Sequence, residues 1–290
     1  MITIVSAAGL GVAVLLAGNL PWAVVFAPLN VRFGTLVPWA IAPMAIYLWL
    51  YWGFVGGRIG SGDSAASRRL SLRANGLAAD VWVKALLTGL VGFGALLMLI
   101  GLMARLMTMP ESAPLTMPDA MPAATAFALL VMSSIVAAVT EEAGFRGYMQ
   151  GPIERQYGLA LGILVNGLMF GLLHFPNHPG QVVSMLPYYV AVAGVYGGLT
   201  WATNSILPAI VLHAGGDVWS LSRLWLTGRP EWQLTGSAQT LLWESGVDSR
   251  FLLAALAFTA LTAAFLWLCL ALRRHTGPSR QDAVPVPGVT

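Results

Sequence analysis

Long apolar stretches separated by short polar breaks recur from one end of the chain to the other. A helix needs about 20 mostly apolar residues to cross the hydrocarbon layer of a bilayer. On that rule the pattern predicts eight spans, beginning with Ile2 to about Ala27, Leu36 to Val55, Val81 to Leu106 and Ala123 to about Met149. The second half adds Leu159 to Phe175, Val182 to Trp201, Ile206 to about Trp225 and Phe251 to Leu272. The first and seventh are interrupted by Gly18–Pro21 and Gly215–Asp217, which leaves their ends the least sharply drawn. The predicted fold class is therefore all-α, a polytopic transmembrane bundle of about eight helices. No internal repeat and no soluble insert shows, so residues 1–275 read as a single transmembrane domain. The tail 276–290, with Pro285 and Pro287, reads as disordered. The apolar stretch from Ile2 has neither a basic leader nor a clear small-residue cleavage site, and reads as a retained first helix, not a signal peptide.

Composition sharpens this picture. The chain is 57% hydrophobic and 9% charged, with a mean hydropathy of +0.75, whereas a soluble domain is roughly 25% charged. Too few charges remain to coat a globular surface in water. The net charge of +3 is too small to point to nucleic acid. The single cysteine, Cys269, allows no intrachain disulfide and reads as a small packing residue in the last span.

Where the charges fall sets the orientation. Arg58, Arg68, Arg69 and Arg73 follow the second span, and Arg273 and Arg274 follow the eighth, which puts both clusters on one side if the eight helices alternate. The loop from Thr108 to Pro122 carries Glu111 and Asp119 and no basic residue, on the other side. Arg32, Arg105, Arg223, Arg229 and Arg250 run against the bias, but singly. The denser clusters place both termini in the cytoplasm. Trp22, Trp39, Tyr51, Trp201 and Trp225, near span ends, read as an interfacial aromatic belt, the segment from Thr227 to Arg250 as lying along the outer interface, and His275 as part of the cytoplasmic anchor beside Arg273 and Arg274.

Ionisable side chains inside spans cost several kcal/mol by most estimates and are functional candidates by default. The fourth span carries Glu141, Glu142 and Arg146. Glu142 and Arg146 are four apart and share a helical face, where they can pair, while Glu141 lies about 100° away, free to face something else. Two adjacent carboxylates in a low-dielectric site raise the proton affinity of at least one, and a carboxylate so tuned can act as a general base on water. The bland alternative is that all three only hold helices together. His174 ends the fifth span in the run Phe170-Gly-Leu-Leu-His174, and His178, among prolines, reads as a solvated loop residue. In the seventh span His213 and Asp217 are four apart on one face, and Gly215–Gly216 admit a close neighbour. Counting from a turn near Gly151–Gly158 sets Glu141 about 10 residues before it and His174 about 16 after, a depth difference of roughly 9 Å. His213 lies roughly 12 Å beyond the start of its span.

These segments, from about Ala123 to Trp219, resemble the CAAX protease and bacteriocin-processing family of intramembrane glutamate proteases (the type II CAAX prenyl endopeptidase, or Abi, superfamily). The residues that carry the resemblance are Glu141-Glu142-x-x-x-Arg146, Phe170-x-x-x-His174 and His213-x-x-x-Asp217, in that order, with Phe145-Arg146-Gly147-Tyr148 and Leu207-Pro208-Ala209-Ile210 flanking them. Many relatives have Asn where Asp217 stands; an amide could donate to an oxyanion, whereas an ionised carboxylate only accepts. Either Asp217 is protonated or it orients His213.

The resemblance implies an intramembrane endopeptidase that hydrolyses a peptide bond of a membrane-associated protein or peptide. Glu141, helped by His174, would activate water; His213 with Asp217 would stabilise the oxyanion or protonate the leaving amine; Glu142 and Arg146 would set the helix and the local field. No cofactor is expected. The metal alternative is a zinc ion on Glu141, His174 and His213, resembling a catalytic set with an open position. The other alternative is a non-catalytic immunity or partner-binding protein of the same family. The Ala-, Leu- and Trp-rich composition suggests a bacterial source, hence the bacterial inner membrane, with the site toward its cytoplasmic half; in that setting a prenylated substrate is not expected.

Overall fold

The computed structural model describes residues 3–60, 62–110, 115–174, 182–230, 233 and 240–276. Among them every regular element is helical. The chain opens with a rod running Ile4–Phe33, made of α1 (Ile4–Leu20), a π-helical stretch Pro21–Phe26 and α2 (Ala27–Phe33). Then come α3 (Ile41–Val55), α4 (Gly62–Leu72), α5 (Ala79–Leu106) and α6 (Ala123–Glu141). A second π-helical stretch, Glu142–Gln150, leads into α7 (Gly151–Tyr157). The remainder is α8 (Leu159–Leu173), α9 (Val182–Thr203), α10 (Leu207–Thr227), the short α11 (Leu242–Ser245) and α12 (Ser249–Thr276).

Each of the eight predicted spans corresponds to a helix, and the molecule is an integral membrane bundle. Among the described residues five rods are long and apolar enough to cross a bilayer by length and composition, and Ile41–Val55 and Leu159–Leu173 are shorter apolar helices. The outward faces are greasy, with Val24, Trp49, Leu87, Leu256 and Trp267 each more than half exposed, as expected where the solvent is lipid. Three points depart from the sequence reading. The stretches at Gly18–Pro21 and Gly215–Asp217 do not break their helices: the first passes into a π turn and the second stays α-helical. In hydrocarbon a broken turn would leave backbone groups without partners, so continuity is the cheaper solution. The arginine-rich loop after α3 contains a helix, α4, too short and polar to span. Trp22 and Tyr51 are not belt residues: both are buried, with the Trp22 indole donating to Ser133 Oγ at 2.8 Å and the Tyr51 hydroxyl to the Val14 carbonyl at 3.1 Å.

Close approaches set the bundle's shape. A Cβ on Gly11 would lie 2.7 Å from the Gly144 carbonyl oxygen, and one on Gly144 would lie 2.6 Å from that of Gly11. Two glycines thus let α1 rest directly on the second π stretch. Gly167 does the same between α8 and α9, its Cβ position being 2.6 Å from Val190 Cα. The rod Ala123–Tyr157 has 35 residues, roughly 50 Å of helix, well beyond a bilayer core of about 30 Å. It turns at Gly158, whose φ of +89° only glycine adopts readily. That location corrects the depth count. Glu141 lies 17 residues before Gly158 and His174 16 after it, so the two positions are level. His178 lies outside the described residues, as does the tail beyond Thr276.

Candidate active site

The second π stretch is the foundation of the site. All nine residues of Glu142–Gln150 are buried. A π turn has one extra residue per turn, interrupts the regular backbone ladder and is frequent at functional sites. Here the carbonyl of Phe145 accepts a hydrogen bond from the Asn166 amide of α8 at 2.8 Å. At its far end Gln150 donates to the Gly197 carbonyl of α9, 3.1 Å away. A side chain of α8 and a backbone carbonyl of α9 therefore brace the stretch.

On this stretch, and one residue before it, the adjacent glutamates reach opposite edges of one imidazole. Glu142 Oε1 is 2.8 Å from His213 Nδ1, and Glu141 Oε2 is 3.7 Å from His213 Nε2. Asp217 Oδ2, one turn along α10, is 3.6 Å from the same Nε2. A carboxylate can only accept, so Nδ1–H donates to Glu142, and in the neutral ring Nε2 then carries the lone pair. The first contact is a hydrogen bond; the other two are longer than one. Tyr196 of α9 lies flat on the ring, with centroids 5.0 Å apart and planes 13° from parallel. His213 is thus clamped in plane by Glu142 and out of plane by Tyr196.

Arg146 completes the inner wall. Its Nη1 is 3.1 Å from Glu142 Oε1, and neither side chain has measurable exposure. Three rings surround the guanidinium, with centroids at 5.0 Å for Tyr196, 5.6 Å for Phe170 and 5.7 Å for Phe145. Among the described residues none of its nitrogens makes a well-directed hydrogen bond, so the charge is held by one carboxylate and by aromatic faces. Glu142 Oε1 thereby serves Arg146 and His213 at once.

Exposure divides the two glutamates. The Glu142 side chain is 0% exposed, that of Glu141 15% and that of Asp217 33%. Glu141 and Asp217 stand at the mouth. His174 caps α8, with Nδ1 2.8 Å from the Phe170 carbonyl; Nδ1–H donates there, leaving Nε2 as the acceptor. Its ring packs on Phe170 and Tyr189, with centroids 4.4 and 5.0 Å away, and it lies within electrostatic reach of His213 and Asp217. Among the described residues it makes no hydrogen bond to Glu141.

The structure therefore brings Glu141, Glu142, Arg146, His213 and Asp217 into one cluster and sets His174 beside it. The Glu142–Arg146 pair is where helical spacing puts it. Glu142 does more than that pairing, because it also holds His213. Sequence reasoning missed Asn166, Tyr189 and Tyr196. Asn166 was within reach of the rule that found the charged residues, as an amide inside an apolar span; the tyrosines carry no such mark. Among the described residues no group of three His, Cys, Asp or Glu side chains is placed to hold a metal ion.

Residues 123–219 match the family model described as Rce1-like, type II CAAX prenyl endopeptidase Rce1-like. That is the family resembled on sequence, and the matched residues contain every member of the cluster. No curated protein and no solved structure matches the chain.

Proposed function

We propose that this Rce1-like segment makes the chain an intramembrane endopeptidase that hydrolyses a peptide bond of a membrane-associated protein or peptide. One observation carries the reading: a single buried imidazole held by one glutamate and faced by a second, partly exposed one. Glu141 takes a proton from a water molecule poised between its carboxylate and His213 Nε2, and the resulting hydroxide adds to the scissile carbonyl. His213, protonated on both ring nitrogens with Nδ1–H held by Glu142, donates from Nε2 to the oxyanion or to the departing amine, and Glu141 then returns to Nε2 the proton it took from water. Asp217 stands on the same nitrogen and steadies the protonated ring. His174 presents its Nε2 at the mouth and orients water or substrate. Arg146 pairs with Glu142, and the aromatic rings keep Arg146 in place.

The arginine clusters after α3 and α12 support cytoplasmic termini and a site toward the cytoplasmic half of the membrane, and the composition supports a bacterial inner membrane. The test is cleavage of a membrane-tethered reporter by wild-type and Glu141→Gln protein in matched membranes. Loss of a general base costs about 10²–10⁴ in rate, so the variant is expected to leave the reporter uncut at normal expression. Full cleavage by Glu141→Gln would remove Glu141 from the mechanism. An uncut reporter with wild-type protein, together with a cellular phenotype that survives the substitution, would favour the partner-binding alternative. Repeating the assay under strong chelation separates the zinc alternative, since only a metal enzyme would lose activity and regain it with added zinc.

A further inference from the structure

At the end of the bundle where α4, α7 and α12 finish and α9 turns into α10, a cavity of about 540 Å³ is lined by Arg69, Arg73, Arg155 and Arg273, with Asn75, Asn204 and a single carboxylate, Glu154. That carboxylate is already engaged. Arg73 grips it with Nη1 at 3.0 Å and Nη2 at 3.5 Å, and the Gln150 amide adds a third contact at 3.1 Å. Among the described residues Arg69, Arg155 and Arg273 make no ion pair with a carboxylate, and although Arg155 feels the neighbouring Glu154, four guanidinium groups share that one carboxylate around the opening. The frame beneath them is built from hydrogen bonds. Arg73 is buried, with an unusual φ of +55°, and its carbonyl accepts from the Ile206 amide at 3.1 Å. The Asn75 side chain donates to the Asn204 carbonyl at 2.6 Å, and Ser205 Oγ donates to the Asn75 carbonyl at 2.7 Å. Arg273 is held by a bond to the Trp201 carbonyl at 3.1 Å and by the Trp201 ring. One rim is apolar: Ala66 and Leu70 line it, and Leu70 is 72% exposed.

We propose that this pocket binds a phosphate group, carried by an anionic phospholipid headgroup or free as inorganic phosphate. Guanidinium groups match phosphate oxygens in geometry and charge, and basic pockets between helix ends take anionic headgroups. The exposed Leu70 rim lies where the first carbons of an acyl chain would run. Because Gln150, the last residue of the π stretch, shares Glu154 with Arg73, an occupied pocket braces the helix that carries Glu141 and Glu142.

The test uses the full chain, purified and delipidated in non-ionic detergent. Native mass spectrometry and thermal unfolding follow added phosphatidylglycerol, phosphatidylcholine or sodium phosphate. The variants are the double substitution Arg69→Gln with Arg155→Gln and, as a control outside the pocket, Arg58→Gln. The expected result is selective retention of phosphatidylglycerol, with roughly 30-fold weaker apparent affinity in the double variant and no change in the control. Stabilisation by phosphate alone that the double substitution abolishes assigns the free anion to the same pocket. Equal retention of phosphatidylcholine and phosphatidylglycerol, or a double variant indistinguishable from Arg58→Gln, overturns the proposal.

Discussion

The inner and outer halves of the site are built from the same residue types and behave as opposites. Inside, Glu142, Arg146 and His213 Nδ1 share one carboxylate oxygen at 2.8 and 3.1 Å, sealed by aromatic rings. Outside, Glu141 and Asp217 stand 3.7 and 3.6 Å from His213 Nε2, and both are partly exposed. A carboxylate locked by a cation and a ring N–H is committed to structure. Glu141, left a few tenths of an ångström beyond bonding distance from the ring, still has lone pairs for water. In the proposed mechanism, adjacent residues on one helix divide into a support and a reagent.

That contrast breaks most visibly at the glutamates. Glu141→Gln is expected to lose about 10²–10⁴ in cleavage rate with a detergent melting curve close to wild type. Glu142→Ala or Arg146→Ala should instead unfold the bundle more easily. Removing one partner of a buried ion pair costs about 3–5 kcal/mol, read as a lowered melting temperature and reduced folded yield. If Glu142→Ala melts like wild type, the inner half is not the support described.

Asn166→Ala probes the brace under the π stretch. Leaving the Phe145 carbonyl without its donor should cost about 1–3 kcal/mol of stability, with activity falling in parallel as Glu141 loses its register. The smallest expected change is at the mouth. Asp217→Asn keeps the shape and replaces an acceptor-only group with one that can donate. Cleavage is expected to change by roughly tenfold or less, since Glu142 still fixes the tautomer, and the pH–rate profile should move because a charge beside His213 Nε2 is gone. A larger loss with an unchanged pH profile would make Asp217 a direct participant.

The sequence was a good guide to the spans because the bilayer admits few solutions: a run of about 20 apolar residues must be a helix. The same logic exposed Glu141, Glu142, Arg146, His174, His213 and Asp217, since ionisable groups stand out against hydrocarbon. It read α4 as a loop because that helix is too short and polar for the spanning rule. It set the turn too early, because it had no signal that the helix continues through a π stretch as far as Tyr157.

By itself, then, the sequence determined the membrane class, the eight apolar helices and the identity of the candidate site residues. Tertiary structure alone decided what each glutamate meets across the helix interface. Helical spacing said that Glu142 faces Arg146, but only the packing of α10 against α6 and the π stretch put His213 between the two carboxylates, with one ring nitrogen for each. Contacts between helices 71 residues apart in the chain leave no periodic trace along it, because they depend on how whole helices dock, through glycines such as Gly11 and Gly144 and through rings such as Tyr196.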